Sequence, residues 1–244
     1  MRTFGLTLAT LSALTLANPA FALTADELVA KNIEAHGGMA ALDAIKNIKA
    51  AGKLTFGGGD FSLDLVMSQV ISRPAQLRSE ATFQGMTMVQ AFDGKESWMI
   101  SPFQGRKDPQ RLSADEAKSY KLQADIEGVL VNAKAKGYTV DYLGMEDVDG
   151  TNAHKLRVKL NATDSRLVFL DPDHFLEIRF EDRLQVRGSE VVTRTDIGDY
   201  EKVAGWYMPF YFESPGQKIS IDTIEANAAV EPSQFAFPVA AAKQ

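Results

Sequence analysis

The sequence predicts a mainly β protein with some α (α+β): one curled antiparallel sheet of about eleven strands, with helices over its concave face. Three observations predict it. Apolar residues alternate at period two through most of the chain. Helical periodicity is confined to two stretches. Short turns, not long crossovers, separate nearly all the strands. Sequential hairpins imply an antiparallel meander, and that many strands cannot lie flat and open, so they must curl or split into two layers.

The elements follow in order. Thr24-Ala25-Asp26-Glu27 is a capping box that opens a helix, and Gly37-Gly38 closes it. Met39 to Lys46 is a second short helical stretch, and from Ile48 the period changes to that of a strand. Phe61, Leu63, Leu65 and Met67 alternate with polar neighbours, the clearest half-buried strand in the chain. Residues 76–83 and 86–93 read as a hairpin turning at Gln84-Gly85, and Ser97–Ser101 as the next strand. Pro102 to Gln110 reads as a polar loop. Ser113-Ala114-Asp115-Glu116 opens a second helical stretch, with a break, to about Lys136. Beyond Gly137 come seven strands, punctuated at Asp149-Gly150, Asp171-Pro172-Asp173 and Pro215-Gly216.

Composition narrows the function. The chain has 244 residues, 45% of them hydrophobic and 24% charged, which suits a globular protein. The net charge of -6 and the lack of a basic stripe argue against nucleic acid. With no cysteine there is no disulfide scaffold, thiolate metal site or thiol nucleophile. Residues 1–22 read as a cleaved secretory signal: Arg2, an apolar run from Phe4 to Leu16, and Ala20-Phe21-Ala22 as the small-x-small site. No composition shift divides residues 23–244, which read as one domain, expected to be periplasmic, soluble and monomeric.

Positive signs of catalysis are missing. His36, His154 and His174 have no metal-ligand spacing, and no hydrolase elbow is present. Gly57-Gly58-Gly59-Asp60 reads as a turn, and Glu146 to Gly150 lacks the remaining ligands of a calcium loop. No catalytic residue, metal or cofactor is assigned. What remains is the apolar pattern, rich in methionine, which suits adaptable apolar surfaces.

The order of several segments resembles the outer-membrane lipoprotein-sorting (LolA/LolB-like) family. They are Gly37-Gly38-Met39-Ala40-Ala41-Leu42, the strand Ile48-Lys49-Ala50-Ala51-Gly52-Lys53, Trp98-Met99-Ile100-Ser101-Pro102, Ala124 to Leu130, Lys136-Gly137-Tyr138-Thr139-Val140, Asp199 to Pro209, and the closing Phe235-Ala236-Phe237-Pro238. The resemblance spans residues 23–244 and marks a divergent branch. It implies an unclosed half-barrel capped by helices, whose apolar cavity shelters acyl chains in the periplasm. For the classical carrier's gating arginine, Arg73 and Arg78 are candidates here, each near an apolar strand.

The expected function is a carrier for a lipid, a lipoprotein acyl chain or a similar apolar ligand. Binding gains about 0.8 kcal/mol per buried methylene. Expected lining residues are Phe61, Leu63, Leu65, Met67, Leu77, Phe83, Met86, Met88, Phe92 and Trp98. Partners would be lipid or acylated lipoprotein cargo and a transport partner at the inner or outer membrane. Two rivals stay open: an envelope sensor or adaptor that binds a protein, and a lipid-acting hydrolase using His154 or His174. The signal reading predicts an exported chain that starts at Leu23. Intact-mass measurement of the protein recovered from a Gram-negative periplasm checks this, and a mass retaining residues 1–22 refutes it.

Overall fold

A computed structural model of the chain describes residues 23–58 and 61–238. Residues 1–22, read above as a signal, and the Gly59-Asp60 half of the glycine-rich stretch lie outside the described residues. Helices α1 (Ala25–His36) and α2 (Met39–Asp43) precede six strands: β1 (Asn47–Gly58), β2 (Phe61–Ser72), β3 (Gln76–Phe83), β4 (Met86–Phe92), β5 (Ser97–Ser101) and β6 (Arg106–Arg111). A strap of residues 112–138 follows and contains the short helix α3 (Lys118–Gln123). Seven strands complete the sheet: β7 (Thr139–Val148), β8 (Thr151–Lys159), β9 (Ser165–Leu170), β10 (Glu177–Val186), β11 (Ser189–Val203), β12 (Trp206–Ser214) and β13 (Gln217–Ala226).

The described residues form one antiparallel sheet of 13 strands in the order β6-β5-β4-β3-β2-β1-β13-β12-β11-β10-β9-β8-β7. The chain starts in the middle of the sheet, runs out to one edge and crosses on the strap to the other edge. It then returns until β13 pairs with β1. β6 and β7 each pair on one side only, so the sheet is not closed.

Two expectations are corrected. The count is 13, not about eleven, partly because Arg106–Arg111 is a strand and not a loop. Its sequence, Arg-Lys-Asp-Pro-Gln-Arg, has no apolar alternation because it is an edge strand with little to bury. An edge also tolerates Pro109 and favours charge. The second helical stretch shrinks to Lys118–Gln123. The rest of the strap is mostly turns, with Gly128 and Asn132 at positive φ. A positive φ at Asn132 breaks the helical path that the periodicity suggests.

The strap explains much of the core. Its Ala124 packs with Ile71, Leu77 and Phe92 of β2, β3 and β4. Val131 packs with Leu42, Ile45, Trp206 and Met208, the last two from β12. Val129 and Leu130 join Leu28 of α1 and Leu156, Val158, Val168 and Leu170 of β8 and β9. Fully buried Leu28 alone gains about 1.5–3 kcal/mol from burial. The opposite face carries the C-terminal segment, where buried Phe235 accepts a hydrogen bond from Trp98 Nε1 at 2.8 Å.

The capping box at Thr24 is formed in both directions, so α1 starts where the sequence places it. Its end is fixed by Gly37, at φ +121°, pressed on the β11–β12 turn. A Cβ there would lie 2.2 Å from the Gly205 carbonyl oxygen. Gly37→Ala is therefore expected to cost more than about 1 kcal/mol, since both backbone angle and contact are incompatible with a side chain. Urea denaturation of the two proteins measures this, and equal midpoints would refute it.

Candidate functional site

Two adjoining cavities lie between the strap and the sheet. The larger has a volume of about 620 Å³ and the smaller about 260 Å³. They share Gln69, Ile71, Arg166, Phe180, Phe212 and Ile221, which form a neck between two chambers. The larger falls within the roughly 300–1,000 Å³ usual for small-molecule sites. Its walls also show that the sheet curls. Strands β2 and β9 both line it, yet they stand six places apart in the sheet order. In a flat sheet they would be about 29 Å apart at ~4.8 Å per strand. Strap contacts tie the curl. Lys118 Nζ donates to Gln185 O and pairs with Asp164 at 3.2 Å, and Glu116 pairs with Arg187.

Strand register decides which expected lining residues share the chamber side of the sheet, and of the ten Met67 alone borders a chamber. Leu63, Leu65 and Met67 share a face of β2 with the lining residues Gln69 and Ile71. Opposite them on β3 stand Leu77 and Phe83, and on β4 Met86, Met88 and Phe92. Met67 itself lines the larger chamber. Leu65 and Met67 are buried in one cluster, against which Leu63, Phe83 and Met88 pack. Leu77 and Phe92 are buried beneath the strap. Phe61 and Met86 are exposed near hairpin ends. Trp98 is a correction. It pairs with Ala91, which points the other way from Phe92, so it lies on the outer face beside Phe237.

Neither arginine candidate lines a chamber. Arg73 donates to the carbonyls of Ile45 and Leu42 and pairs with Glu127, fastening the end of α2 to the strap. Arg78 lies on the outer face, donating to Gln234 O at 2.9 Å. The cavity arginine is Arg166 on β9. It escaped the sequence reading because Arg166 to Leu170 is otherwise an unbroken apolar run, in which alternation cannot say which face is inside.

At the far end of the smaller chamber is a buried polar cluster from α1, β10, β11 and β12. His36 Nε2 lies 2.7 Å from Glu177 Oε2, and His36 Nδ1 lies 2.7 Å from Tyr207 O. A carbonyl and a carboxylate can only accept, so these two contacts favour the ring with hydrogen on both nitrogens, the imidazolium. Tyr200 donates to Glu177 O at 2.9 Å, and the His36 ring stacks on Trp206 at 4.7 Å. Burial by itself would lower His36 and raise Glu177. Their mutual attraction and hydrogen bond outweigh it, leaving His36 above its ordinary 6.5 and Glu177 below its ordinary 4.5. Burial and the Glu177 charge push the Tyr200 phenol well above its usual value.

The other histidines differ. His154 is nearly buried, within 3.0 Å of Tyr142 OH and stacked on Phe175, and burial lowers its pKa. His174 is exposed beside Asp171. Among the described residues no cluster of three or more His, Asp or Glu could hold a metal, and no helix is long and apolar enough to cross a membrane.

The fold is thus an unclosed antiparallel sheet crossed by a strap, with a two-chambered cavity between them. Three solved structures share it. A LolA superfamily protein from Nitrosomonas europaea is 14% identical, with a TM-score of 0.58, covering 88% of this chain and 98% of its own. A putative outer-membrane lipoprotein-sorting protein domain from Vibrio parahaemolyticus is 12% identical, with a TM-score of 0.56, covering 86% and 97%. A DUF1329 family protein from Desulfovibrio piger is 13% identical, with a TM-score of 0.55, covering 87% and 97%. The chain thus shares the LolA-like fold of these structures, at 12–14% identity. No protein-family model matches it, and no curated protein does.

The His36–Glu177 pair makes stability depend on pH. A raised histidine value gives stability that is whole below pH 6.5 and lost as pH rises through the folded-state value. A lowered glutamate value gives stability that is whole above pH 4.5 and lost as pH falls through it. His36→Gln is expected to flatten the alkaline loss and to cost about 1–3 kcal/mol near pH ~6. Urea midpoints across the pH range test this, and an unchanged alkaline slope would refute it.

Proposed function

We propose that this chain is an exported periplasmic carrier that shelters an acyl chain in its two-chambered cavity. The observation that supports the reading most is that cavity. It is large enough for a small ligand and mostly apolar, and it is held open between a strap and a curled sheet that also occurs in a lipoprotein-sorting domain. The half-barrel's concave face would be covered by α1, α2 and the strap together. The ligand chain would enter the cavity past Met67 and Ile71 of β2, and Leu63, Leu65, Phe83 and Met88 would extend the same apolar face beyond it, while Leu77 and Phe92 stay under the strap. Phe61 and Met86 would stand at its rim.

The role is one of binding, with no cofactor and no covalent step. Its cargo would be a lipid or an acylated lipoprotein, loaded or received by a partner at the inner or outer membrane. His36 is poorly placed as a catalytic base, because both ring nitrogens are engaged. A second reading, an adaptor that docks a protein, draws on the open edge of β7, where Leu143 and Met145 are exposed.

Native mass spectrometry of the protein from the periplasm, without detergent, tests the proposal. A co-purifying lipid or acylated species is expected. A clean apo mass that also takes up no added lipid would overturn the carrier and favour the adaptor. Met88→Asp, which puts a charge on the inner face, is expected to cut lipid uptake by about tenfold or more while the chain stays folded. A folded Met88→Asp protein that binds normally would show that this face does not line the ligand.

A further inference from the structure

We propose that Arg166, at the neck between the chambers, receives the anionic head group of the carried amphiphile; this rests on the carrier reading above. The side chain points inward from β9, opposite Asp182 of β10. Its Nε and Nη2 donate to the two Asp182 oxygens at 2.7 and 2.8 Å, and both side chains are only 12% exposed. The guanidinium lies over the Phe180 ring, 4.2 Å from its centre. Its Nη1 donates to no protein acceptor among the described residues. One arm of the fork is thus fixed by protein, and the other is left facing the cavity.

The acids around the neck are already paired. Asp125, Glu127 and Glu177 line the smaller chamber, and each already has a cationic partner, in Lys136, Arg73 and His36. Asp182, the acid lining the larger chamber, is held by Arg166 itself. No free carboxylate in the lining would repel an anionic head. A buried ion pair also makes a poor stabilising device, since desolvation offsets its attraction. A rigid planar guanidinium is instead suited to carboxylate or phosphate oxygens. Ile71, Phe212 and Ile221 at the same neck would take the first methylenes of the chain.

Carboxylate and phosphate heads share this chemistry, and the experiment separates them. Equilibrium binding at neutral pH is measured for four C16 ligands that differ only in the head: hexadecanoate, hexadecyl phosphate, hexadecanol and hexadecyltrimethylammonium. At least one of the anions is expected to bind about tenfold or more tighter than the alcohol, and the order of the two names the natural head. Equal binding of all four would overturn the subsite and leave the carrier intact. Binding of none would overturn the carrier itself. Replacing both partners, Arg166→Met with Asp182→Leu, removes the pair without stranding a charge. It is expected to erase the preference while changing alcohol affinity by less than about twofold. A folded double variant that still prefers the anion would overturn the assignment. Should the variant not fold, the head-group comparison on the unaltered protein still decides.

Discussion

The strap and the curl of the sheet depend on each other, and the rest of the architecture depends on that pairing. β6 and β7 end the sheet, yet they are joined in sequence by residues 112–138 alone. Residues 112–138 are folded into α3 and successive turns rather than extended, and in that compact form they link the two edges because the curl brings those edges together. Once the sheet is bent, its inner face is a concave apolar surface that needs covering. The strap supplies Ala124, Val129, Leu130 and Val131 for that purpose, spread from β2–β4 to β8–β9. It is too narrow to fill the whole face. What it leaves uncovered is the cavity, so the topology that makes the core also makes the site.

Polar groups shape the cavity as much as apolar ones do. His36, Glu177 and Tyr200 hold α1 to β10, β11 and β12 at one end. Arg166 and Asp182 stand at the neck. Both sets bond within themselves, the second through Arg166 Nε and Nη2, and collapse onto the apolar walls would break those bonds at about 1–3 kcal/mol for each group left unpaired. Lys118 and Arg187 then pin the strap to the far arm of the sheet. These ties act as fixed posts, while the chamber walls between them are side chains such as Met67 that can adapt to a ligand.

Strands β2, β3 and β4 were legible because each has a dry inner face. Alternation at Leu63, Leu65 and Met67 gives both the strand and its face, and Gln84-Gly85 gives the turn. The capping box at Thr24 was legible because its partners are local. The misses share a cause, since each depends on something distant in sequence. β6 has no alternation, because an edge strand takes its place from its neighbour. The strap reads as helix because its apolar spacing serves three separate clusters. Trp98 was placed inside, but its face is set by pairing with Ala91, and a shift of one residue inverts a strand. Arg166 was hidden in a run apolar on both faces, of which the outer half packs in a second cluster with Leu167 and Phe169.

The cavity's size carries a constraint of its own. A volume of about 620 Å³ that is partly open to solvent fills with water wherever no ligand lies. Water suits the polar neck, where guanidinium, carboxylate and amide can each bond to it. Water does not suit the walls of Ile71, Phe180, Phe212 and Ile221, where it would give up hydrogen bonds for no return. An occupant with a polar head and an apolar tail satisfies both surfaces at once, and neither a purely polar nor a purely apolar one does.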